Sequence, residues 1–193
     1  RLLHTQQKTT TQGGCILAWI SGTLKLFHVV LENCASGSGG AVKINGLTTK
    51  VLLSYVTIKS AVSDGNGGAL NINDCKDVDM SHVVIDSAHA KNGQGGGLYV
   101  RGTSSVVITD STFKSCTADG SNGNGGAIAV SQGFIEVAST RFESNSAKQK
   151  AGAVYIENNG YVTFKERIVF KNNVEEDTSS FDACFISLES NKN

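Results

Sequence analysis

Apolar and polar residues alternate with a period of two in short runs along most of the chain. The runs Val42-Lys43-Ile44 and Leu70-Asn71-Ile72 show the pattern. Successive side chains of a β-strand point to opposite faces, so these runs predict short strands with one buried face. No segment requires the 3.6-residue period of an amphipathic helix.

The strands recur in a repeat that carries two markers. The first marker is a pair of small residues, nearly always Gly-Gly, followed by a small residue and an apolar strand. The second residue of each pair is Gly14, Gly40, Gly68, Gly96, Gly126 and Gly152. Successive pairs begin 26, 28, 28, 30 and 26 residues apart.

The second marker is an apolar residue followed, two positions later, by Ser or Asn. The apolar positions are Leu31, Ile58, Ile85, Phe113, Phe142 and Phe170. The small polar positions are Asn33, Ser60, Ser87, Ser115, Ser144 and Asn172. These markers lie 27, 27, 28, 29 and 28 residues apart, so both markers share one period and indicate a repeat protein.

A unit of about 28 residues with short strands is too short for a strand-helix-strand crossover, but it closes as one coil of a solenoid. We therefore predict an all-β fold, a right-handed single-stranded parallel β-helix (solenoid) of about six coils over residues 13–173. Residues 1–12 are expected to form an N-terminal lead-in or cap. Residues 174–193 are expected to form a last partial coil or a C-terminal cap.

Stacking of the coils places equivalent residues in columns. The apolar residues of the second marker should form one interior column, and its Ser and Asn residues a polar ladder that satisfies backbone groups at a turn. The residue after each Gly pair is always small, which indicates a crowded corner. This corner column is Cys15, Ala41, Ala69, Gly97, Ala127 and Ala153. In the sixth unit Val162 and Phe164 lie one residue out of step, which implies a one-residue insertion.

Composition agrees with this fold and limits the partners. The chain has 22 Gly and no Pro, which suits tight corners and a ladder that needs nearly every backbone N–H. Lys+Arg and Asp+Glu balance at 17 each, so there is no net positive field to attract nucleic acid. No apolar run is long enough for a membrane-spanning helix. The chain begins at Arg1 without a recognisable signal peptide, which suggests a processed product or a fragment.

The five cysteines show no metal-ligand spacing. Cys34 and Cys116 share a column, but three coils, roughly 14 Å, separate them, which is beyond the reach of a disulfide. We interpret both as buried small residues. Cys15 and Cys184 lie near opposite ends of the predicted rod and should not pair.

The paired markers Gly-Gly-Ala-apolar and Phe-x-x-Asn resemble the repeats of chlamydial polymorphic outer-membrane proteins and related pectin-lyase-like β-helix surface proteins. The resemblance spans residues 13–173; Phe142-Glu-Ser-Asn145 and Phe170-Lys-Asn-Asn173 fit the second motif fully, whereas earlier units depart from it. It implies an extracellular or cell-surface location and a role in adhesion.

Candidate catalytic chemistry is confined to one acidic cluster, Asp74, Asp77, Asp79 and Asp86. Asp77 and Asp79 share one side of a strand, but adjacent coils offer Lys50, Leu52 and Val107 rather than matching acids. We therefore predict no catalytic residue, no metal site and no cofactor. His28, Tyr55 and His82 form an exposed column, but its two histidines are about 9.6 Å apart, too far to share one metal ion.

Gly-rich loops of variable length emerge along one edge of the predicted solenoid, where repeat proteins usually bind partners. The predicted binding residues are Asp64, Asn66, Lys91, Asn92, Asp119, Asn122 and Asn124. The sequence favours a non-catalytic structural or adhesive protein whose loops bind a protein or glycan. Two alternatives are a fragment of a polysaccharide lyase or glycoside hydrolase, and a structural subunit of a larger assembly.

Overall fold

The computed structural model describes residues 13–19, 22–46, 50–176 and 186–188. Over these ranges the chain forms strands and turns and contains no helix. Each coil contributes four short strands in the same order, separated by corners. Six coils follow one another, and a further strand starts a seventh rung.

The strands follow in chain order, coil by coil. The first coil contains β1 (Ile16–Trp19), β2 (Thr23–Phe27), β3 (Val30–Glu32) and β4 (Ala35–Ser36). The second contains β5 (Val42–Asn45), β6 (Lys50–Ser54), β7 (Thr57–Lys59) and β8 (Val62–Ser63). The third contains β9 (Leu70–Asn73), β10 (Asp77–Ser81), β11 (Val84–Asp86) and β12 (His89–Ala90).

The later coils repeat this order. The fourth contains β13 (Leu98–Arg101), β14 (Ser105–Thr109), β15 (Thr112–Lys114) and β16 (Thr117–Ala118). The fifth contains β17 (Ile128–Ser131), β18 (Phe134–Ala138), β19 (Arg141–Glu143) and β20 (Ser146–Ala147). The sixth contains β21 (Val154–Glu157), β22 (Tyr161–Phe164), β23 (Val169–Lys171) and β24 (Val174–Glu175), and β25 (Ile186–Leu188) follows.

Equivalent strands of successive coils pair in parallel, so four sheets run along the solenoid. The first sheet has the order β1-β5-β9-β13-β17-β21-β25 and the second has the order β2-β6-β10-β14-β18-β22. The third is β3-β7-β11-β15-β19-β23 and the fourth is β4-β8-β12-β16-β20-β24. The predicted all-β parallel solenoid of about six coils is therefore confirmed.

The predicted interior columns are also found. Leu31 pairs with Ile58, and the column continues through Ile85, Phe113 and Phe142 to Phe170 in the same register. The Phe113 and Phe142 rings stack with centroids 5.4 Å apart. Val162 and Phe164 pair in register with Ile135 and Val137, so the predicted extra residue of the sixth coil lies between Phe164 and Phe170.

The Ser and Asn column of the second marker has a different role from the one predicted. All six residues have positive φ, from 51° at Ser60 to 56° at Ser87, and close a corner in the left-handed conformation. Their side chains are exposed, or half-buried at Ser115, and the only hydrogen bond donated by one of them within the described residues runs from Ser87 Oγ to Asp86. Backbone N–H groups continue the ladder instead, as from Ser60 to the carbonyl of Asp86. The residues are small and polar because such side chains tolerate a left-handed turn.

At this corner, the side chains that satisfy buried backbone groups lie one residue later, at Asn145 and Asn173. Asn145 Nδ2 donates to the Phe113 carbonyl (3.1 Å), and its Oδ1 accepts from the Cys116 N–H (2.9 Å). Asn173 repeats the arrangement one coil on, since its Nδ2 donates to the Phe142 carbonyl (3.0 Å) and its Oδ1 accepts from the Asn145 backbone N–H (3.1 Å). The same Oδ1 also accepts from Asn145 Nδ2 (2.8 Å). The Asn of the Phe-x-x-Asn motif is therefore an internal backbone clamp.

The two glycines of the first marker are required for different reasons. The first one has positive φ, for example 66° at Gly39 and 69° at Gly67. The second does not, but a Cβ on Gly40 would overlap the carbonyl oxygen of Gly68 in the next coil. The second glycine therefore permits close approach of neighbouring backbones rather than an unusual turn.

One cysteine prediction is wrong. Cys34 is buried as expected, but it is not a free thiol, because it forms a disulfide with Cys15, with 5.6 Å between the Cα atoms. The prediction considered only cysteines in the same column. Cys15 and Cys34 belong to one coil, where the residue after the Gly pair faces the residue after the Ser or Asn of the second marker. Cys75 and Cys116 are buried and free, and Cys184 lies outside the described residues.

The close approach at the Gly pair yields a first prediction. Replacing Gly68 with Ala places a methyl group against the backbone of Gly96 and His89. We expect the free energy of unfolding to fall by about 1–3 kcal/mol through overpacking, measured by denaturant titration. Gly22 is the control because nothing lies within 4 Å of its Cβ position; Gly22→Ala should change stability by less than about 0.5 kcal/mol. Equal effects of the two substitutions would contradict the stacking explanation.

The apposition across the coil yields a second prediction. A Cβ on Gly97 would lie 3.2 Å from Cys116 Sγ, and the two positions are 19 residues apart, as are Cys15 and Cys34. Gly97→Cys should therefore form a second disulfide, and overpacking should offset part of the stabilisation of about 3 kcal/mol that the chain-entropy model gives for a loop of this length, because the new Cβ also lies 2.8 Å from the Ala127 carbonyl oxygen. Burial raises the pKa of Cys116 to about 12, so oxidation should be carried out during refolding rather than on the folded protein.

Free thiols counted by mass spectrometry after alkylation, without reduction, measure the outcome. The control is Ala69→Cys, which faces Ala88 and should add a thiol without adding a disulfide. If the introduced thiol and Cys116 both remained reduced after oxidative refolding of Gly97→Cys, the two corners would not be apposed.

Candidate functional site

The outer face of the first sheet is largely covered by the loops before each Gly pair. Tyr99, Ala129, Ala151 and Tyr155 form a second buried cluster there. Asn71 is also buried, and its Nδ2 donates to Ser38 Oγ at 2.7 Å. Burial raises the pKa of Tyr99 and, with the nearby Glu157 carboxylate, that of Tyr155, so both phenols stay protonated. At these coils the face belongs to the core, whereas in the first coil Leu17 and Trp19 remain exposed, by 48% and 71%.

The outer face of the third sheet carries a column of alternating charge. Register pairing places these residues one above another. In order they are Glu32, Lys59, Asp86, Lys114, Glu143 and Lys171. Lys171 Nζ lies 3.2 Å from Glu143 Oε1, and Lys59 Nζ lies 3.9 Å from Glu32 Oε1. Each charge therefore has an opposite charge on the next rung, and two of these neighbouring pairs form ion pairs.

The predicted loop edge exists, but several of its residues bind each other. Lys91 Nζ lies 3.3 Å from Asp64 Oδ1 in the preceding coil. Asp119 Oδ2 lies 2.6 Å from His89 Nε2, again between adjacent coils. The Oδ1 atom of Asn66 accepts the Gln94 N–H at 2.9 Å.

The remaining predicted loop residues also divide into structural and exposed positions. Asn124 is buried and forms a parallel bridge with Lys150. The Asn122 carbonyl accepts the N–H of Asn124, while the Asn122 side chain is exposed, as is that of Asn92. The loops are therefore stacked rungs, and four of the seven predicted residues, Asp64, Lys91, Asn92 and Asn122, remain exposed.

The four acids that cluster in sequence are separated by the fold. Asp74 lies at a corner, where its Oδ1 accepts the Thr103 N–H at 3.2 Å. Asp86 belongs to the charged column of the third sheet. Asp77 and Asp79 alone point from one strand to the same outer face, as their alternation predicted. Asp77 is opposite Lys50, and Asp79 is opposite Leu52 on one side and Val107 on the other.

Asp77 and Asp79 line a groove of about 390 Å³ on the outer face of the second sheet. Lys50, Ser105 and Val107 complete its polar and apolar walls. Beyond Ser105 the same column continues with Phe134 and then Tyr161. These two rings stack with centroids 5.5 Å apart, and both are exposed, Phe134 by 37% and Tyr161 by 60%.

The groove combines hydrogen-bond acceptors, a cationic donor and a nearby aromatic surface. The side chains of Asp77, Asp79 and Lys50 form no hydrogen bond or ion pair in the part of the chain that the structure describes. No three His, Cys, Asp or Glu residues in the described ranges come together as metal ligands. The arrangement suits hydrogen bonding to a hydroxyl-rich ligand.

Sequence reasoning found the acid pair of this groove but missed its aromatic neighbours. Phe134 and Tyr161 were detectable in principle, because each begins the strand that precedes the second marker, at the position equivalent to Asp77. The groove itself was not detectable in this way, because it depends on the short Ser105 lying between larger neighbours.

The predicted aromatic column is present at the corner after the second sheet. The Tyr55 ring lies between His28 and His82, with centroid distances of 4.9 and 4.5 Å and small interplanar angles. Tyr55 therefore has a ring against both of its faces and presents mainly its edge to solvent. Phe134 has a ring on one side only, with Ser105 on the other, so it is a more suitable platform than Tyr55 for stacking of a sugar ring.

No helix long and apolar enough to cross a membrane occurs among the described residues. No protein-family model matches the chain, and neither the curated proteins nor the solved structures give a significant match.

The charged column generates a prediction about proton binding. The hydrogen bond from Lys171 holds the pKa of the Glu143 carboxyl below its ordinary value. A lowered folded-state pKa stabilises the fold above the ordinary pKa of Glu, and this contribution is lost as the pH falls through the lowered value. Lys171→Met should therefore raise the pKa of Glu143 toward its ordinary value, measured by carboxyl-carbon NMR titration.

The matched control for this titration is Lys165→Met, because Lys165 pairs with Glu136, at 2.7 Å, rather than with Glu143. That variant should leave the titration of Glu143 unchanged. If Lys171→Met left the pKa of Glu143 where it was, the proposed pairing along the column would be wrong.

Proposed function

We propose that this chain is a rigid, non-catalytic β-helix segment of an extracellular or cell-surface protein, which binds a glycan or protein partner through its lateral surface. The observation that carries the proposal is the groove on the second sheet. There Lys50, Asp77 and Asp79 project from adjacent rungs of a hydrogen-bonded ladder, so the scaffold holds their spacing fixed before a partner binds.

The groove is a better candidate than the predicted loop edge. On the loop edge, Asp64 and Lys91 neutralise each other, and Asn124 is buried. In the groove, Asp77 and Asp79 have no cation within ion-pair distance among the described residues. Polar groups without protein partners that converge on a concave surface are typical of ligand sites.

A glycan is the ligand class that best fits the chemistry of the groove. Carboxylates accept hydrogen bonds from sugar hydroxyls, and the Lys50 ammonium group donates to hydroxyl oxygens. The exposed Phe134 ring supplies an apolar surface near the groove, suited to the C–H face of a sugar ring. A hydroxyl-rich ligand uses all three features together.

The Cys15–Cys34 disulfide supports an extracellular or cell-surface location, since disulfides persist mainly in oxidising compartments. The two free cysteines are compatible with that setting. Burial is the largest cause that raises the pKa of Cys75, to about 11, and that of Cys116, to about 12, so both thiols are protected from oxidation. The resemblance to surface-displayed β-helix repeats supports the same location.

One observation favours a second candidate function, the polysaccharide lyase or glycoside hydrolase fragment. Two carboxylates in one groove are the minimum that acid-base hydrolysis of a glycosidic bond uses. Both come from β10, however, and the facing positions on adjacent rungs are Lys50, Leu52 and Val107. The groove thus supplies no acid on a separate element that could flank a scissile bond.

A glycan array combined with a hydrolase and lyase screen tests the proposal. The Asp77→Asn and Asp79→Asn double variant should lose at least about tenfold in affinity for the glycan that binds best, because two charge-assisted hydrogen bonds are weakened. The matched control is Asp64→Asn with Lys91→Gln on the loop edge, which should change affinity less than about threefold.

Three results would contradict parts of the proposal. Turnover of any polysaccharide would exclude a non-catalytic role. Loss of binding in the loop-edge control alone would transfer the site to the loop edge. An unchanged affinity in the groove variant would remove the groove from the site.

A further inference from the structure

A second pocket, of about 330 Å³, lies at the corner between the second and third sheets in the last three coils. Its lining is dominated by hydrogen-bond donors. The hydroxyl residues are Ser111, Thr112, Ser139 and Thr140, and the charged residues are Arg141, Arg167 and Asp110. Ser111 and Thr140 are buried and donate to the Thr109 and Ala138 carbonyls, which leaves Thr112 and Ser139 as the available hydroxyl donors. Two guanidinium groups against one carboxylate give the pocket a local positive charge in a chain with no net charge.

Arg167 occupies an unusual position for a long cationic side chain. It closes the corner with a φ of +52°, in the column that begins with His28, Tyr55 and His82. Left-handed non-glycine residues cost free energy, and small polar residues such as Asn tolerate this conformation better than Arg does. Its side chain is exposed, and no carboxylate of the described residues lies within ion-pair distance of it.

Arg141 is only weakly neutralised by the protein. Its nearest acid is Glu143, where NH1 lies 3.8 Å from Oε2. The other oxygen of that carboxylate lies 3.2 Å from Lys171, which therefore competes for the same charge. A guanidinium group has five N–H donors in a planar fork, and a single contact of 3.8 Å leaves most of them available.

We propose that Arg141 and Arg167 bind the oxyanion of an acidic saccharide, a uronic-acid carboxylate or a sulfate ester, with Ser139 and Thr112 as additional hydroxyl donors. The proposal rests on the glycan-binding function above for the class of ligand, but it concerns a different surface from the groove. Planar bidentate hydrogen bonding is the recognition mode that distinguishes arginine from lysine at carboxylates and sulfates.

Nucleic acid and membrane surfaces fit these observations less well. A phosphate polymer requires a row of cations along its track, whereas the corner column continues from Arg167 through Ser139 to Asp110 and His82. Arg167 is the one Lys or Arg residue of this corner column, which suits a single acidic group rather than a polyanion.

Two NMR titrations test the location of the site and the class of its ligand separately. Inorganic sulfate is the first probe, and it should shift the side-chain Nε–H resonances of Arg141 and Arg167 but not that of Arg101. The second set of probes is trigalacturonate, a heparin-derived sulfated disaccharide and a neutral trigalactoside of similar length. At least one acidic saccharide should bind about tenfold or more tightly than the neutral one.

Substitutions complete the test. Arg141→Gln and Arg167→Gln should each weaken binding of the acidic saccharide about tenfold, and Arg167→Lys should restore it only in part. Lys76→Gln, which removes one exposed positive charge at a different corner, should change the affinity less than about twofold. Thermal melts of each variant verify that the solenoid remains folded.

Each outcome separates this site from the groove. No sulfate-induced shift at either arginine, or equal binding of acidic and neutral saccharides, would overturn the proposal. The Asp77→Asn and Asp79→Asn variant could lose binding of the acidic saccharide while both arginine variants bind it fully. That result would overturn the proposed arginine site but would agree with glycan binding in the groove. Arginine shifts with sulfate but no binding of any saccharide would retain an oxyanion site and reject a glycan as its ligand.

Discussion

Backbone hydrogen bonding between successive coils is the constraint on which the rest of the structure depends. A strand of three residues such as β11 cannot satisfy its own backbone groups and relies on β7 and β15 on either side. This dependence fixes one register for every coil. It also explains why the second glycine of each pair is retained, because a side chain at Gly40 would separate the backbones that must bond.

A fixed register places equivalent residues of successive coils directly above one another. Whether this stabilises the fold depends on whether the stacked side chains are apolar or charged. Apolar residues gain from it, as in the Phe113, Phe142 and Phe170 column, since each ring removes another from water. Charges of one sign would repel in the same arrangement. The third sheet avoids this repulsion by alternating sign at every rung, from Glu32 and Lys59 onward. The alternation also disfavours a slip of one whole coil, which would place like charges together.

The sequence determined column membership well because a column is a property of the repeat period alone. The pairing of Leu31 with Ile58, and the placement of Asp77 and Asp79 on one face, required only counting. Neighbours across a corner are different, because they depend on the angle at which two sheets meet. The Cys15–Cys34 disulfide and the pocket shared by Arg141 and Arg167 both join different columns. The repeat period does not predict contacts between columns, so the sequence did not reveal either feature.

Polar side chains on the surface of the solenoid differ in whether the neighbouring rungs satisfy them. Most polar columns of this solenoid are satisfied internally, either by alternating charge or by buried clamps such as Asn145 and Asn173. A charged residue that forms no ion pair with the adjacent rungs stabilises the stack less than a paired one does. Asp77 with Asp79 in the groove, and Arg167 at a corner otherwise filled by uncharged, aromatic or acidic side chains, are such residues. We propose external ligands for these side chains because no ion pair among the described residues engages Asp77, Asp79 or Arg167, and the two proposed sites carry opposite charge.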